Sequence, residues 1–228
     1  MNVAIVVAGG KGTRFGGNRP KQFLELNAIP IIVHTLRQFE RSEQIGTVVV
    51  VLPPEEMAAF QSLQDKFVLK KVAHIVAGGE TRAQSVQKGL AAIEEADVVA
   101  IHDGVRPLVT PNEIDEVVLA AAANGAAILV THVGDTIKEI KNNGIARTVP
   151  RDGLRRALTP QCFRFEVLKR AYEDLEAIEA SGIEVTDDSF LVERLGVNVI
   201  AVSGSARNIK ITTPEDLALA ETLLKKSD

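Results

Sequence analysis

Six short runs rich in β-branched residues recur along the chain: VAIVVA at 3–8, TVVVVL at 47–52, VAHIVA at 72–77, VVAIH at 98–102, AAILVT at 126–131 and VNVIAV at 197–202. Their apolarity is nearly continuous rather than alternating, which marks strands buried on both faces of a sheet. Helical patterns fill the gaps at 30–39, 54–64, 83–93 and 111–123. The last of these opens with Thr110 as N-cap and Pro111 at the first helical position. Strands alternating with helices build right-handed βαβ units, so the expected fold class is a three-layer α/β/α, Rossmann-like domain with a mostly parallel sheet. At 228 residues the chain forms one domain with a sizeable core.

One stretch breaks the rhythm. From His132 to Leu158 the sequence alternates as TIKEI, NNG, IARTV, with Asn143-Gly144 as a two-residue turn signal. A hairpin with so few large apolar residues cannot fold alone, so 132–158 is expected to be a protruding β-arm that lies on this domain or on another subunit. After it come a helical pattern at 165–179, a loop TDDS at 186–189, the sixth strand, and a last helix opened by Thr213-Pro214-Glu215.

Composition removes several function classes. A formal net charge of −4 offers no basic field for nucleic acid. No run approaches the roughly 20 apolar residues of a membrane span, and glycines interrupt the N-terminal apolar run where a signal peptide would continue. Cys162 is the single cysteine, which excludes an intrachain disulfide and fits a reducing, cytoplasmic setting. His34, His74, His102 and His132 are scattered and read as structural or surface residues.

The glycine-rich loop after the first strand, VAIVVAGGKGTRFGGNRPKQFLEL at 3–26, poses the functional question. Gly10-Lys11-Gly12-Thr13 does not complete a Walker A loop, which needs Gly-Lys-Ser/Thr after four intervening residues. A dinucleotide fingerprint is approached by Gly10, Gly12 and Gly16. It should run directly into a helix and meet an acidic residue about 20 positions on; here Pro20 interrupts and the next strand ends Leu52-Pro53-Pro54. What remains is a loop with its own cations, Lys11, Arg14, Arg19 and Lys21. Glycines let backbone amides approach a triphosphate, and the cations can take up charge as it develops in transfer. That combination points to nucleotidyl transfer, beside the plainer possibility of a tight turn with solvated cations.

These letters, A-G-G-x-G-x-R followed by PKQF, resemble nucleotidyltransferases that join sugar or polyol phosphates to nucleoside triphosphates. More narrowly, VAGGETRAQSVQKGL at 76–90, HDGVRPLVT at 102–110, DTIK at 135–138, LTPQCF at 158–163, TDDS and NIKITTPEDL at 208–217 resemble the 2-C-methyl-D-erythritol 4-phosphate cytidylyltransferase family of the non-mevalonate isoprenoid pathway. Gly9 departs from the alanine usual there. The resemblance implies attack by a polyol phosphate on the α-phosphate of CTP, with loss of pyrophosphate and no protein nucleophile. It implies CTP contacts at Ala8, Gly9, Gly10, Gly12, Thr13, Arg14, Lys21, Gly79, Glu80, Arg82, Ser85, Asp103 and Gly104. Arg14, Lys21, Arg151 and Lys210 become the catalytic cations.

Asp103 follows a buried strand at the carboxyl edge, where open α/β sheets bind ligands, and a carboxylate there suits Mg²⁺; capping the turn at Gly104 is its structural alternative. By the same resemblance the polyol phosphate is expected at Asp103, Arg106, Asp135, Thr136, Arg151 and Lys210, with Thr159, Thr186 and Asp187 as weaker candidates for the polyol or its surroundings. In the family the arm reaches across a homodimer, so that Thr136 and Arg151 serve the partner's site. Ribitol-5-phosphate cytidylyltransferases resemble the same motifs, and small differences in polyol shape carry little discriminating energy. A non-catalytic nucleotide-binding protein is the alternative of another class.

Overall fold

The computed structural model describes residues 1–10 and 20–225. In chain order its elements are β1 (Asn2–Val7), a short 3-10 turn at Lys21–Phe23, the mini-hairpin β2 (Glu25–Leu26) and β3 (Ile29–Pro30), α1 (Ile31–Arg41), β4 (Ile45–Leu52), α2 (Met57–Phe67), β5 (Val72–Ala77), α3 (Arg82–Ala91), β6 (Val98–Asp103), α4 (Pro111–Asn124) and β7 (Ala126–His132). The arm strands β8 (Ile137–Lys141) and β9 (Gly144–Val149) follow. Then come β10 (Arg155–Arg164), α5 (Phe165–Tyr172), α6 (Leu175–Ala180), α7 (Asp188–Arg194), β11 (Ile200–Ser203) and α8 (Pro214–Lys225).

The main sheet runs β11-β7-β10-β6-β1-β4-β5, with every pairing parallel except those of β10, which is antiparallel to both β6 and β7. Side-chain alternation divides the core between two faces. Ala4, Val6, Val48 and Val50 pack with Ile32, Leu36 and Phe39 of α1 and with Val117 and Val118 of α4. Val3, Ile5, Val49 and Val51 pack with Val86 and Leu90 of α3, Leu168 of α5 and Leu191 of α7. This is the α/β/α sandwich expected from the apolar runs. Thr110 caps α4 and forms a reciprocal capping box with Glu113.

Several expectations need correction. The arm is shorter than 132–158, because His132 still belongs to β7 and Arg155 already to β10. The polar-looking RRALTPQCFR is a central strand whose residues Leu158–Phe163 are all buried. The hairpin turn is Asn142-Asn143, both at positive φ, with Gly144 already paired to Lys141; the turn signal was one residue out of register. The 165–179 pattern divides into α5 and α6, and TDDS is the start of α7, with the Asp187 side chain accepting from Phe190 N–H as its N-cap. The sixth strand begins at Ile200 rather than Val197.

Candidate active site

The parallel strands deliver four loops to one edge. After β1 the chain continues as Ala8-Gly9-Gly10, whose Ala8 N–H bonds Val51 O at 2.8 Å, while Gly78 N–H bonds Leu52 O at 2.7 Å after β5. Between β1 and β6, neighbours joined by connections running in opposite directions, lies the crevice in which α/β sheets take ligands. There the 103–106 turn closes, with Gly104 N–H on Val7 O at 2.8 Å. A Cβ on Gly104 would come within 2.9 Å of the Ala8 Cβ, so this glycine is required by close packing.

The resulting cleft, about 250 Å³, is lined by Ala8, Gly9, Gly10, Lys21, Gly79, Glu80, Arg82, Ser85, Asp103 and Lys210 among others. A second cleft of about 270 Å³ shares Arg82, Asp103 and Lys210 and adds Arg106, Thr159, Thr186 and Asp187. Ten of the residues expected from the sequence thus meet in the first cleft. Gly12, Thr13 and Arg14, with Lys11 and Arg19, lie outside the described residues. Asp135, Thr136 and Arg151 line neither cleft; all three are exposed at the base of the arm, where Arg151 Nη1 donates to Gly134 O.

Asp103 is the hub of both clefts. Its Oδ1 accepts from Arg82 Nε at 3.0 Å; its Oδ2 pairs with Lys210 Nζ at 2.9 Å and with Arg106 Nε at 3.3 Å. Burial would raise its pKa, but the charges of Arg82, Lys210 and Arg106 outweigh burial and hold the carboxyl far below the usual range. Arg82 also reaches Asp188 at 2.8 Å, and Asp188 is fully buried. Burial alone would lower the Arg82 pKa; Asp188 and then Asp103 raise it, so the guanidinium stays charged. With Lys21 on the rim, these cations exceed the acids among the described lining residues, a balance suited to a polyanion.

Ser85 is less available than expected. Its hydroxyl donates to Thr81 O at 2.9 Å and accepts from Gly79 N–H at 3.0 Å, which shapes the 78–81 loop from within. Thr159 is likewise engaged, with its Oγ1 3.2 Å from Asp103 N and 2.9 Å from His102 Nδ1. The side chains of Asp188, Tyr172 and Gln161 escaped sequence reasoning. Tyr172 donates its hydroxyl to Asp188 Oδ1 at 2.6 Å, and Gln161 Oε1 accepts from the Asp188 and Ser189 amides, both at 2.9 Å. The only prior signal was the acidic pair in TDDS. His102 is wholly buried, and burial lowers its pKa to about 4, which keeps the ring neutral.

Comparison with known proteins adds an independent line. The family model described as 2-C-methyl-D-erythritol 4-phosphate cytidylyltransferase matches residues 2–226. The chain is 44% identical over 97% of its length to the protein of that name from Geobacillus kaustophilus, covering 96% of the relative. It is 42% identical to the one from Syntrophus aciditrophicus, with 99% and 97% of the two chains covered. Among solved structures, the 4-diphosphocytidyl-2C-methyl-D-erythritol synthase of Anaerococcus prevotii superposes with a TM-score of 0.85 at 30% identity, covering 99% of this chain and 96% of that one. The 2-C-methyl-D-erythritol 4-phosphate cytidylyltransferase of Thermus thermophilus gives 0.80 at 32% identity, covering 99% of this chain and 100% of that one.

Proposed function

Since the chain belongs to the 2-C-methyl-D-erythritol 4-phosphate cytidylyltransferase family, we propose that it transfers the cytidylyl group of CTP to 2-C-methyl-D-erythritol 4-phosphate. A phosphate oxygen of the polyol phosphate forms the new bond to the α-phosphorus of CTP; the bond to the bridging oxygen breaks and pyrophosphate leaves. The observation that carries this reading is the Asp103 hub, which joins a cleft edged by glycine backbone to a second cleft through the shared cations Arg82 and Lys210.

No side chain needs to act as nucleophile, because the attacking oxygen is already anionic. Catalysis then consists of alignment and charge stabilisation. Lys21, with Arg14 from outside the described residues, takes the triphosphate. Lys210 and Arg106 hold the polyol phosphate at the boundary of the two clefts, where Asp103 pairs with both. The backbone of Gly9, Gly10 and Gly79 lines the nucleotide side, leaving room for close approach.

Magnesium fits one way into this donor set. Among the described residues no three His, Cys, Asp or Glu side chains converge, but Mg²⁺ commonly takes one carboxylate and fills its shell with phosphate oxygens and water. Asp103 would supply that carboxylate through Oδ1, the oxygen that accepts from Arg82 Nε. When bound, the ion would neutralise charge on the phosphates.

The arm serves a homodimer in this proposal, presenting Asp135, Thr136 and Arg151 to the partner's second cleft. Ile140 and Ile145, paired across the hairpin, are 60% and 67% exposed, which supports a partner surface there. A cytoplasmic setting belongs to the same proposal. Among the described residues no helix is long and apolar enough to cross a membrane.

The test is pyrophosphate release from CTP and Mg²⁺ with either 2-C-methyl-D-erythritol 4-phosphate or ribitol 5-phosphate. Turnover is expected with the first. Preference for ribitol phosphate would reassign the substrate, and release with neither would leave a nucleotide-binding protein.

A further inference from the structure

The Asp103–Arg106 turn is closed by hydrogen bonds that substrate contacts do not require. Arg106 N–H bonds Asp103 O at 3.1 Å. Behind the turn, Asp103 N–H points to Thr159 Oγ1 at 3.2 Å, Thr159 Oγ1 lies 2.9 Å from His102 Nδ1, and His102 Nε2 lies 3.1 Å from Arg106 O. Proton counting leaves one consistent arrangement. The Arg106 carbonyl can only accept, so His102 Nε2 carries the hydrogen and the neutral ring leaves Nδ1 bare. Thr159 Oγ1 accepts from the Asp103 amide through one lone pair and gives its single proton to Nδ1.

The ring is locked from outside as well. His102 has no exposure and stacks edge-on to Phe39, with ring centroids 5.1 Å apart. Asn208 is equally buried; its side-chain Nδ2 donates to Thr159 O at 2.9 Å and its backbone carbonyl accepts from Arg106 Nη1 at 2.8 Å. One end of the turn bonds Thr159 of β10 directly, and the other end and the Arg106 side chain reach the same residue through His102 and Asn208.

We infer that His102 and Thr159 are positioning residues, a hydrogen-bonded relay that sets the direction of the Asp103 carboxylate and the Arg106 guanidinium toward the reacting phosphates. This rests on the proposed transfer reaction. Neither residue need touch substrate: each acts by removing freedom from a turn whose two charged ends must both be placed within tenths of an ångström. The Thr159 hydroxyl, expected from the sequence to meet the polyol, is already spent on the protein.

Two measurements test the relay. In the uncomplexed protein, imidazole nitrogen shifts of His102 should show Nε2 protonated and Nδ1 bare; a protonated Nδ1 overturns the relay. This readout is independent of turnover, so it stands even if the wild type releases no pyrophosphate, an outcome that would sink the proposed reaction instead. In kinetics, the near-isosteric Thr159→Val should lower kcat about 10- to 100-fold, and Thr159→Ser should recover activity to within about threefold. In a His102→Gln background, Thr159→Val should add little further loss. Losses that multiply would mean that Thr159 contacts substrate directly, and a Thr159→Val enzyme with unchanged kcat would dismiss the relay. If His102→Gln does not fold, the Val and Ser pair with the tautomer measurement still decides.

Discussion

Asp103 shows how little of a site a single residue determines. A carboxylate buried to this degree would ordinarily be protonated or absent. It persists because Arg82, Arg106 and Lys210 surround it, and Arg82 in turn depends on Asp188, which Tyr172 completes at 2.6 Å. Tyr172→Phe removes one hydrogen bond to a buried charge, a loss of about 1.5–3 kcal/mol. For a chain of this size the melting temperature should fall by roughly 3–12 °C, measured by calorimetry, with turnover reduced as Arg82 loosens. An unchanged melt would mean that the Asp188 carboxylate finds another donor. The glycines and cations that face ligand were legible from the sequence, since phosphate chemistry restricts residue types. Asp188, Tyr172 and His102 were not, because a buried polar group is defined by its partners and those lie up to 106 positions away.

Among elements, the apolar runs identified the sheet because strands buried on both faces cannot hide their composition. β10 escaped because its N-terminal half, Arg155–Ala157, is exposed and charged while its buried half contains Thr159, Pro160 and Gln161, whose polar groups are satisfied by tertiary contacts. Helix α1 and the β2–β3 mini-hairpin carry a prediction of their own. His34 Nε2 bonds Leu26 O at 2.7 Å. Burial lowers its pKa below 6.5; the Leu26 carbonyl opposes this and Arg37 adds to it. The unfolded chain therefore binds the proton more readily. The stability His34 contributes is fully present above pH 6.5 and declines as pH falls toward the lowered value. Urea titrations at a series of pH values should show this decline, and His34→Gln should flatten it. An identical slope in the variant would place the pH dependence elsewhere.

At the scale of the whole molecule, the two proposed halves of the site are far apart in kind: Lys21 and Asp103 line the cleft of one chain, whereas Arg151 stands on the arm. Lys21→Ala and Arg151→Ala should each leave the melt nearly unchanged and remove most activity. If arms are exchanged between subunits, mixing the two inactive proteins should restore up to about a quarter of wild-type turnover, the share of sites in a random heterodimer mixture that escape both changes. No recovery after demonstrated subunit exchange would confine each site to one chain.

The pairing of His132 with Arg155 has one more consequence. The chain leaves the sheet at one of these residues and re-enters at its neighbour, so the arm is an excursion whose two ends already touch. Replacing residues 133–154 by a two-residue turn should leave β7 and β10 in register and yield a folded monomer, seen by light scattering and a retained melt. Unfolding of that variant would show that the sheet leans on the arm. If it folds, the junction is a splice point: a hairpin of foreign sequence grafted there would choose which protein this catalytic body associates with, while the body itself stays as it is.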